Sequence, residues 1–222
     1  MQVVAPSTVN GVASTIAVLV LLVEFGMLRA GLLRSQVRLY AAQSLIASLL
    51  AVFLGVVRHE PELLILAGLS IALKTVVVPL VVLRLVRQSG TATTGSGILK
   101  PAGAALVALA VAGFGFFAVG RSGLRVDGLS PTVLGSAVAI IAVAFVLMII
   151  RNDVVSQAVG FFSLENGVSV ASLVVAAGMP LILEVAFLFD LLVAVVVFGV
   201  LMRVHHEEQS TLSTAQLTDL RG

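Results

Sequence analysis

The sequence predicts an all-α fold, namely a polytopic membrane protein with seven transmembrane helices. Only 11% of its 222 residues are charged, whereas soluble domains carry about 25%, and its mean hydropathy is +1.18. The apolar residues form continuous runs of about 20 residues, the length that a helix needs to cross a bilayer. Strands of a membrane β-barrel instead alternate with a period of two over about ten residues. The continuous runs therefore exclude a barrel.

Seven apolar runs, each bounded by polar residues, define the predicted helices. Lys74 and Pro79 interrupt the third run, where the proline is expected to kink the helix. Pro101 suits the first turn of the fourth helix, and Gly178 and Pro180 flank a predicted tight turn before the last helix. The runs cover residues 12–33, 39–57, 63–86, 101–119, 131–150, 154–177 and 181–202.

The chain is predicted to form a single integral membrane domain over residues 1–222. Its first ten residues lack the basic segment of a signal peptide, so the first apolar run is expected to remain in the protein. The segment between the third and fourth runs is rich in Gly, Ser and Thr and is expected to be flexible. The predicted parts are an N-terminal three-helix part (12–87), the polar linker (88–100), the fourth helix (101–119), a second three-helix part (131–203) and a cytoplasmic tail (204–222).

The distribution of Arg and Lys predicts the orientation of the helices, because cytoplasmic loops carry an excess of these residues. With seven spans, Arg58, Arg121 and Arg125 fall on the poorer side of the membrane. The richer side is expected to be cytoplasmic, which places the N-terminus outside and the C-terminus inside. The basic residues of the richer side are Arg29, Arg34, Arg38, Arg84, Arg87, Lys100, Arg151 and Arg203.

Glu24, Lys74, Glu165 and Asp190 are predicted to lie near the middle of four different spans. Each is roughly 13–18 Å from a helix end at 1.5 Å per residue, where an ionised group without a partner costs several kcal/mol. If the helices pack together, these groups suit a lateral proton relay, in which water bridges titratable side chains away from both bulk phases. The alternative is a structural role, in which a Lys74–carboxylate pair only fixes the bundle. Glu184 is a weaker candidate, since it lies only a few residues inside the last span.

Two polar residues are candidates to support this set. Gln43 in the second span can bridge charges through water, although a membrane Gln more often bonds to a neighbouring helix; the other is Asn166, beside Glu165. The chain has no cysteine, which excludes thiolate metal sites and iron–sulfur clusters from it. No catalytic triad, phosphate loop or metal-ligand spacing occurs, and the basic residues give no indication of nucleic-acid binding. No catalytic centre, metal or cofactor is therefore expected in this chain.

The run FFSLENGVSVASLVVAAGMPLILEVAFLFDLLVAVVVFGVLMRVHHEEQ resembles the C-terminal half of the hydrogenase-4 component E family. That half is similar to the three-helix NuoK-type subunit of respiratory complex I and to the MrpC-type subunit of multisubunit cation/proton antiporters. The resemblance is most specific over residues 131–208. The Leu-Glu pair of the family's central helix matches Leu164 and Glu165, which implies a membrane-embedded glutamate role for Glu165. The second acid of the small subunits falls best on Asp190, an Asp where they usually have Glu, with Glu184 nearby.

The resemblance implies a non-catalytic membrane subunit of a group 4 NiFe-hydrogenase-type complex in a bacterial or archaeal cytoplasmic membrane. Its partners in the lipid bilayer would be antiporter-like large membrane subunits. Hydrogenase large and small subunits and iron–sulfur subunits would complete the complex and hold its NiFe and iron–sulfur centres. Glu165, Asp190, Lys74 and Glu24 would move protons, or sodium ions, in response to redox chemistry. Three alternatives stay open: an antiporter subunit without a redox partner, an autonomous secondary transporter, and a scaffold whose charges only lock the helices together.

Overall fold

The chain is described here by a computed structural model, which covers residues 6–88, 93–94, 97–122, 130–175 and 199. Within these residues the secondary structure is helical, apart from one isolated antiparallel bridge between Leu32 and Thr93. The elements are α1 (Pro6–Arg29), α2 (Leu33–Arg58), α3 (Pro61–Ser70), a π-helical segment (Ile71–Val77), α4 (Val78–Gln88), α5 (Pro101–Arg121), α6 (Pro131–Ile150) and α7 (Val154–Val175).

Six of the described helices are long and apolar enough to cross a membrane. Five are α1, α2, α5, α6 and α7, and the sixth is the third span, in which α3, the π segment and α4 are continuous. This confirms the predicted polytopic helical fold. The predicted seventh span, 181–202, and the predicted tail lie outside the described residues, except for Gly199.

The first two helices begin earlier than predicted, and α1 also ends earlier. α1 already includes Pro6 and ends at Arg29, and α2 begins at Leu33, whereas the predicted break lay between residues 33 and 39. The reason is that Arg34 and Arg38 are exposed on the first turns of α2, where long basic side chains extend from a helix without ending it. Glu24 is therefore the nineteenth of the 24 residues of α1 and not near its middle.

Short connections place the helix ends on two opposite faces. The Arg58 face is named after the residue that ends α2, and the Arg151 face after the residue that follows α6. α2 and α7 both start at the Arg151 face, so they run parallel, while α1 and the third span run antiparallel to them. The ends at the Arg151 face are Arg29, Leu33, Gln88, Pro101, Ile150 and Val154, and those at the Arg58 face are Pro6, Arg58, Pro61, Arg121, Pro131 and Val175.

The third span changes its helix type halfway along. Pro79 has no amide hydrogen to donate to the carbonyl of Thr75, and in an α-helix its ring would collide with that carbonyl. The wide turn of a π-helix occupies Ile71–Val77, directly before this proline, and Lys74 lies at its centre. The disturbance predicted at Pro79 therefore takes the form of a π segment, a feature often found at functional sites.

α7 is the most buried of the six spans, with 16 of its 22 residues buried. A Cβ atom at Gly167 would lie 2.8 Å from Cγ1 of Ile141 and 3.1 Å from its backbone nitrogen, so glycine permits α6 and α7 to approach closely. On its other side, α7 packs against α2. There the ring of Phe162 lies 5.7 Å from that of Tyr40, which is fully buried.

Arg151 joins three connections at its face. Its guanidinium donates to the carbonyls of Leu28, at 2.7 Å, and Ala30, at 3.1 Å, and to the hydroxyl of Thr94, at 3.0 Å. The backbone N–H of Thr94 also donates to the carbonyl of Gly31, at 3.1 Å. A cation at the C-terminal carbonyls of α1 is favourable for the helix dipole. The linker, predicted to be flexible, is thus held at Thr94 against the α1–α2 turn.

Candidate functional site

Lys74 and Glu165 form an ion pair in the interior of the bundle. Nζ of Lys74 lies 3.4 Å from Oε1 of Glu165, and the two side chains are 1% and 7% exposed. Nζ also donates to Oγ of Ser169, at 2.9 Å, one helical turn after Glu165 on the same side of α7. The π segment and α7 therefore bring together two residues that the sequence analysis selected. With so little exposure, solvent ions hardly screen this pair.

Glu24 belongs to a second cluster, built from α1, α2 and α7. Its carboxyl group is fully buried, and Oε2 accepts a hydrogen bond from Nε2 of Gln43, at 2.6 Å, and contacts Oγ of Ser163. Nδ2 of Asn166 donates to Oε1 of Gln43, at 3.1 Å, and to Oγ of Ser44, at 2.9 Å. Gln43 thus bonds directly to Glu24 and to α7, as a membrane glutamine commonly does.

Counting hydrogens in this cluster distinguishes the two protonation states of Glu24. Oγ of Ser163 also lies 2.9 Å from Oε1 of Gln43, but a hydroxyl group has only one hydrogen to donate. If Glu24 is ionised, one of the two oxygen–oxygen contacts of Ser163 has no hydrogen. If Glu24 is protonated, it donates to Ser163, which donates to Gln43, and both contacts are hydrogen bonds. The geometry therefore fits a protonated Glu24.

The surroundings of Glu24 favour the same form. Within the described part of the chain, the only ion pair is that of Lys74 with Glu165, and the partners of Glu24 are neutral groups. A buried ionised carboxylate without a cation is costly and tends to neutralise instead. The ion pair and the neutral Glu24 together then carry no net charge.

A second polar layer, missed by the sequence analysis, lies closer to the Arg151 face. Nε2 of Gln36 donates to the carbonyl of Met27, at 3.4 Å, and Oγ of Ser156 donates to Oε1 of Gln36, at 2.8 Å. The backbone N–H of Ser156 donates to Oδ1 of Asp153, at 2.7 Å, and Asp153 is only 2% exposed. A buried acid therefore begins α7 at this face.

The two layers repeat the same contacts at a spacing of seven residues. In the Glu24 layer, Gln43 donates to the carbonyl of Val20, at 3.5 Å, and accepts from Ser163. Each of these residues lies seven positions from its counterpart in the Gln36 layer, on α1, α2 and α7. We call these two layers together the polar seam. A seven-residue repeat keeps equivalent residues facing the same neighbouring helix. The sequence signals for the polar seam were therefore two pairs spaced by seven residues, Gln36 with Gln43 in α2 and Ser156 with Ser163 in α7.

The remaining sequence candidates have different outcomes. Asp190 and Glu184 lie outside the described residues, so their predicted roles stay predictions. Glu24 lies in one hydrogen-bonded cluster with Gln43 and Asn166, and Lys74 forms an ion pair with Glu165. Among the described residues, no group of three or more His, Cys, Asp and Glu side chains could hold a metal ion.

Fold and site together define a polytopic α-helical membrane protein whose interior carries an ion pair and a buried carboxyl group. An uncharacterized protein of Mycobacterium tuberculosis (strain ATCC 25618 / H37Rv), Rv0085, is 32% identical to the chain over 179 residues, which make up 76% of this chain and 77% of that protein. The chain therefore belongs to the same family as Rv0085. No family profile and no solved structure matches it.

Proposed function

We propose that the protein relays protons inside the membrane as a non-catalytic subunit of a hydrogenase-4-type complex. The observation that carries the relay is the buried pair of Lys74 and Glu165 beside the protonatable Glu24 cluster. Structural ion pairs need no second acid nearby, whereas a relay needs titratable groups in sequence. Ser169 places a hydroxyl group beside the pair, and the polar seam supplies hydroxyl and amide groups beside Glu24.

In this proposal the Lys74–Glu165 pair and Glu24 would carry a proton one after the other. When Lys74 gives its proton to water, the negative charge of Glu165 loses the cation beside it in a medium of low dielectric. That charge favours transfer of the Glu24 proton to the neutral amine of Lys74, which restores the ion pair. Refilling Glu24 from the other face restores the starting state, so one proton has crossed for each cycle. Serine hydroxyls suit such transfers because they donate and accept at one atom.

The assignment to a redox complex rests on the resemblance of residues 131–208 to the hydrogenase-4 component E family. In that arrangement the chain has a seventh span, an outer N-terminus and a cytoplasmic tail, and the Arg151 face is cytoplasmic. Asp190 would be the next acid of the relay, with Glu184 as the alternative. Partner subunits would hold the NiFe and iron–sulfur centres.

An antiporter subunit is the second candidate function. The observation that favours it is the oxygen-rich Glu24 cluster, since carboxyl, amide and hydroxyl oxygens are ligands that also suit hard cations such as sodium. Such a subunit would use the same interior groups without a redox partner. The resemblance to MrpC-type subunits supports it equally.

The first experiment is extraction of the chain from its native membrane in mild detergent, followed by mass spectrometry of the bound proteins. Co-purification of an antiporter-like large subunit with iron–sulfur and hydrogenase-type proteins is the expected result. Antiporter subunits alone would favour the second candidate. A stable, monodisperse chain without partners would contradict both and favour an autonomous transporter.

The second experiment measures proton translocation in membrane vesicles and normalises it to the amount of assembled complex. Glu165→Gln, which keeps size but cannot titrate, should abolish translocation, as should Lys74→Met combined with Glu165→Gln, which leaves no buried charge unpaired. Glu62→Gln is the control, because Glu62 is an exposed acid at the start of α3. Normal translocation in the double variant would show that the pair is only a scaffold.

A further inference from the structure

A small cavity lies between α2, α3 and α7, on the Arg58 side of the ion pair. It is large enough for about one water molecule. Part of its wall consists of small side chains, namely Ala47 and Ala51 on α2 and Ala67 on α3, which leave room for the cavity. Leucine at any of these positions would fill it.

Four polar side chains line the inner end of this cavity: Ser48, Ser70, Asn166 and Ser169. Ser48 donates to Ser70 across the α2–α3 contact, at 2.9 Å. Buried water is stable where it finds two to four polar partners, and these side chains provide that number. The end of the cavity is therefore polar although its walls are apolar.

The polar end connects the two clusters of the site. Ser169 is the hydroxyl that accepts from Lys74, and Asn166 is the amide that donates to Gln43 beside Glu24. A water molecule at this position lies next to Ser169, which bonds to the partner of Glu165, and next to Asn166, which bonds to the partner of Glu24. Proton transfer through one bridging water needs no direct contact between the acids.

The cavity extends from this polar end toward the Arg58 face. Ser70 lies nine residues from the start of α3, about 14 Å at 1.5 Å per residue, whereas the lining residues Leu63 and Leu173 lie two residues from the ends of their helices. The guanidinium of Arg58 donates to the carbonyl of Leu173, at 3.4 Å. A partly exposed cationic group thus lies at the outer end of the cavity.

The opposite side of the site is packed differently. Toward the Arg151 face, Gln36 bonds directly both to Met27 of α1 and to Ser156 of α7, so hydrogen-bonded side chains join α1, α2 and α7 at that level. The interior therefore adjoins a cavity on the Arg58 side and hydrogen-bonded side chains on the Arg151 side.

We infer that this cavity is the water route by which Lys74 and Glu165 exchange protons with the Arg58 face. The inference rests on the proposed function for its purpose, but the existence of the route can be tested without any transport. Silver ions are the probe, because they are about as small as water and react with thiolates, which form in water and not in lipid. The chain has no cysteine of its own, so each introduced thiol is the only target in it.

The test compares Ala67→Cys with Gly68→Cys in the complex in sealed native vesicles. The two positions are adjacent small residues, but Ala67 is buried on the cavity wall, whereas Gly68 is exposed and a Cβ there meets nothing within 4 Å. Silver nitrate is applied to one face at a time. Thiols that did not react are then alkylated in denaturant and counted by mass spectrometry of this chain.

We expect silver to modify Ala67→Cys about tenfold faster than Gly68→Cys, and only when it is applied to the Arg58 face. Equal rates, or faster reaction from the Arg151 face, would overturn the inference. Ser70→Cys, nearly isosteric with the native residue, repeats the test at the polar end with the same two outcomes if Ala67→Cys does not accumulate.

The results also separate this inference from the proposed function. Silver access from the Arg58 face together with normal translocation by the Lys74 and Glu165 double variant would support the water route and refute the relay. No silver access together with lost translocation would refute the route and support the relay.

Discussion

The ion pair of Lys74 and Glu165 should show a large coupling free energy in a double-mutant cycle. At 3.4 Å and an effective dielectric constant of about 20, two unit charges attract by about 5 kcal/mol. Removing one partner from a buried pair typically costs about 3–5 kcal/mol, whereas replacing both by apolar groups is often neutral. We therefore expect Lys74→Met and Glu165→Gln each to lower the free energy of unfolding by about 3–5 kcal/mol. The double variant should lie within about 2 kcal/mol of the wild type, because neither charge is left unpaired.

The cycle can be measured by titrating the full-length chain in mixed micelles with a denaturing detergent and following helix content by circular dichroism. The coupling free energy is the sum of the two single costs less the cost of the double variant. With the costs above it is about 4–10 kcal/mol, a factor of about 10³ to 10⁷ in the unfolding equilibrium. Arg87→Met and Glu62→Gln, two exposed charges of the third span, are matched controls expected to change stability by less than about 0.5 kcal/mol. A coupling below about 0.5 kcal/mol would refute the reasoning, since it would mean that the two groups are solvated or uncharged in the folded chain.

Two further variants test the polar seam and the α6–α7 contact. Ser163→Ala removes the hydroxyl between Glu24 and Gln43, so it should cost about 1–3 kcal/mol of stability and slow proton translocation per assembled complex; an unchanged rate would exclude this hydroxyl from the relay. Gly167→Ala forces a Cβ against α6 and should destabilise the chain by about 1–3 kcal/mol. Gly113→Ala, where a Cβ meets nothing within 4 Å, should be neutral or slightly stabilising. Equal melting temperatures for the two glycine variants would contradict the close packing.

The helical membrane fold was predictable because hydrophobicity in a bilayer acts over whole segments. Residues 131–150 form an uninterrupted apolar run, and the prediction for α6 matches the helix at both ends. The break between α1 and α2 was misplaced because Arg34 and Arg38 look like loop residues in a hydropathy pattern, although arginine extends readily from a helix. Segment composition thus fixes which helices exist better than where they end.

The site was predictable in its charged members and in two amides, Gln43 and Asn166, but not in its serines. Lys74, Glu165 and Glu24 are conspicuous because a charge in a membrane span is rare. Ser163 and Ser156 are not, since serine is common in membrane helices, and their importance depends on which helix each one faces. The π segment was also unpredicted, because a proline indicates a disturbance of the helix but not the form that it takes.

The contact between Tyr40 and Phe162 has a practical consequence for spectroscopy. The chain contains one tyrosine and no tryptophan, so the near-ultraviolet emission of the isolated protein arises almost entirely from this one phenol ring. The Tyr40 ring is buried at the α2–α7 contact beside Phe162, which directly precedes Ser163 in α7. The native protein thus carries a label-free optical reporter, whose intensity should change whenever α2 and α7 separate or alter the polarity between them.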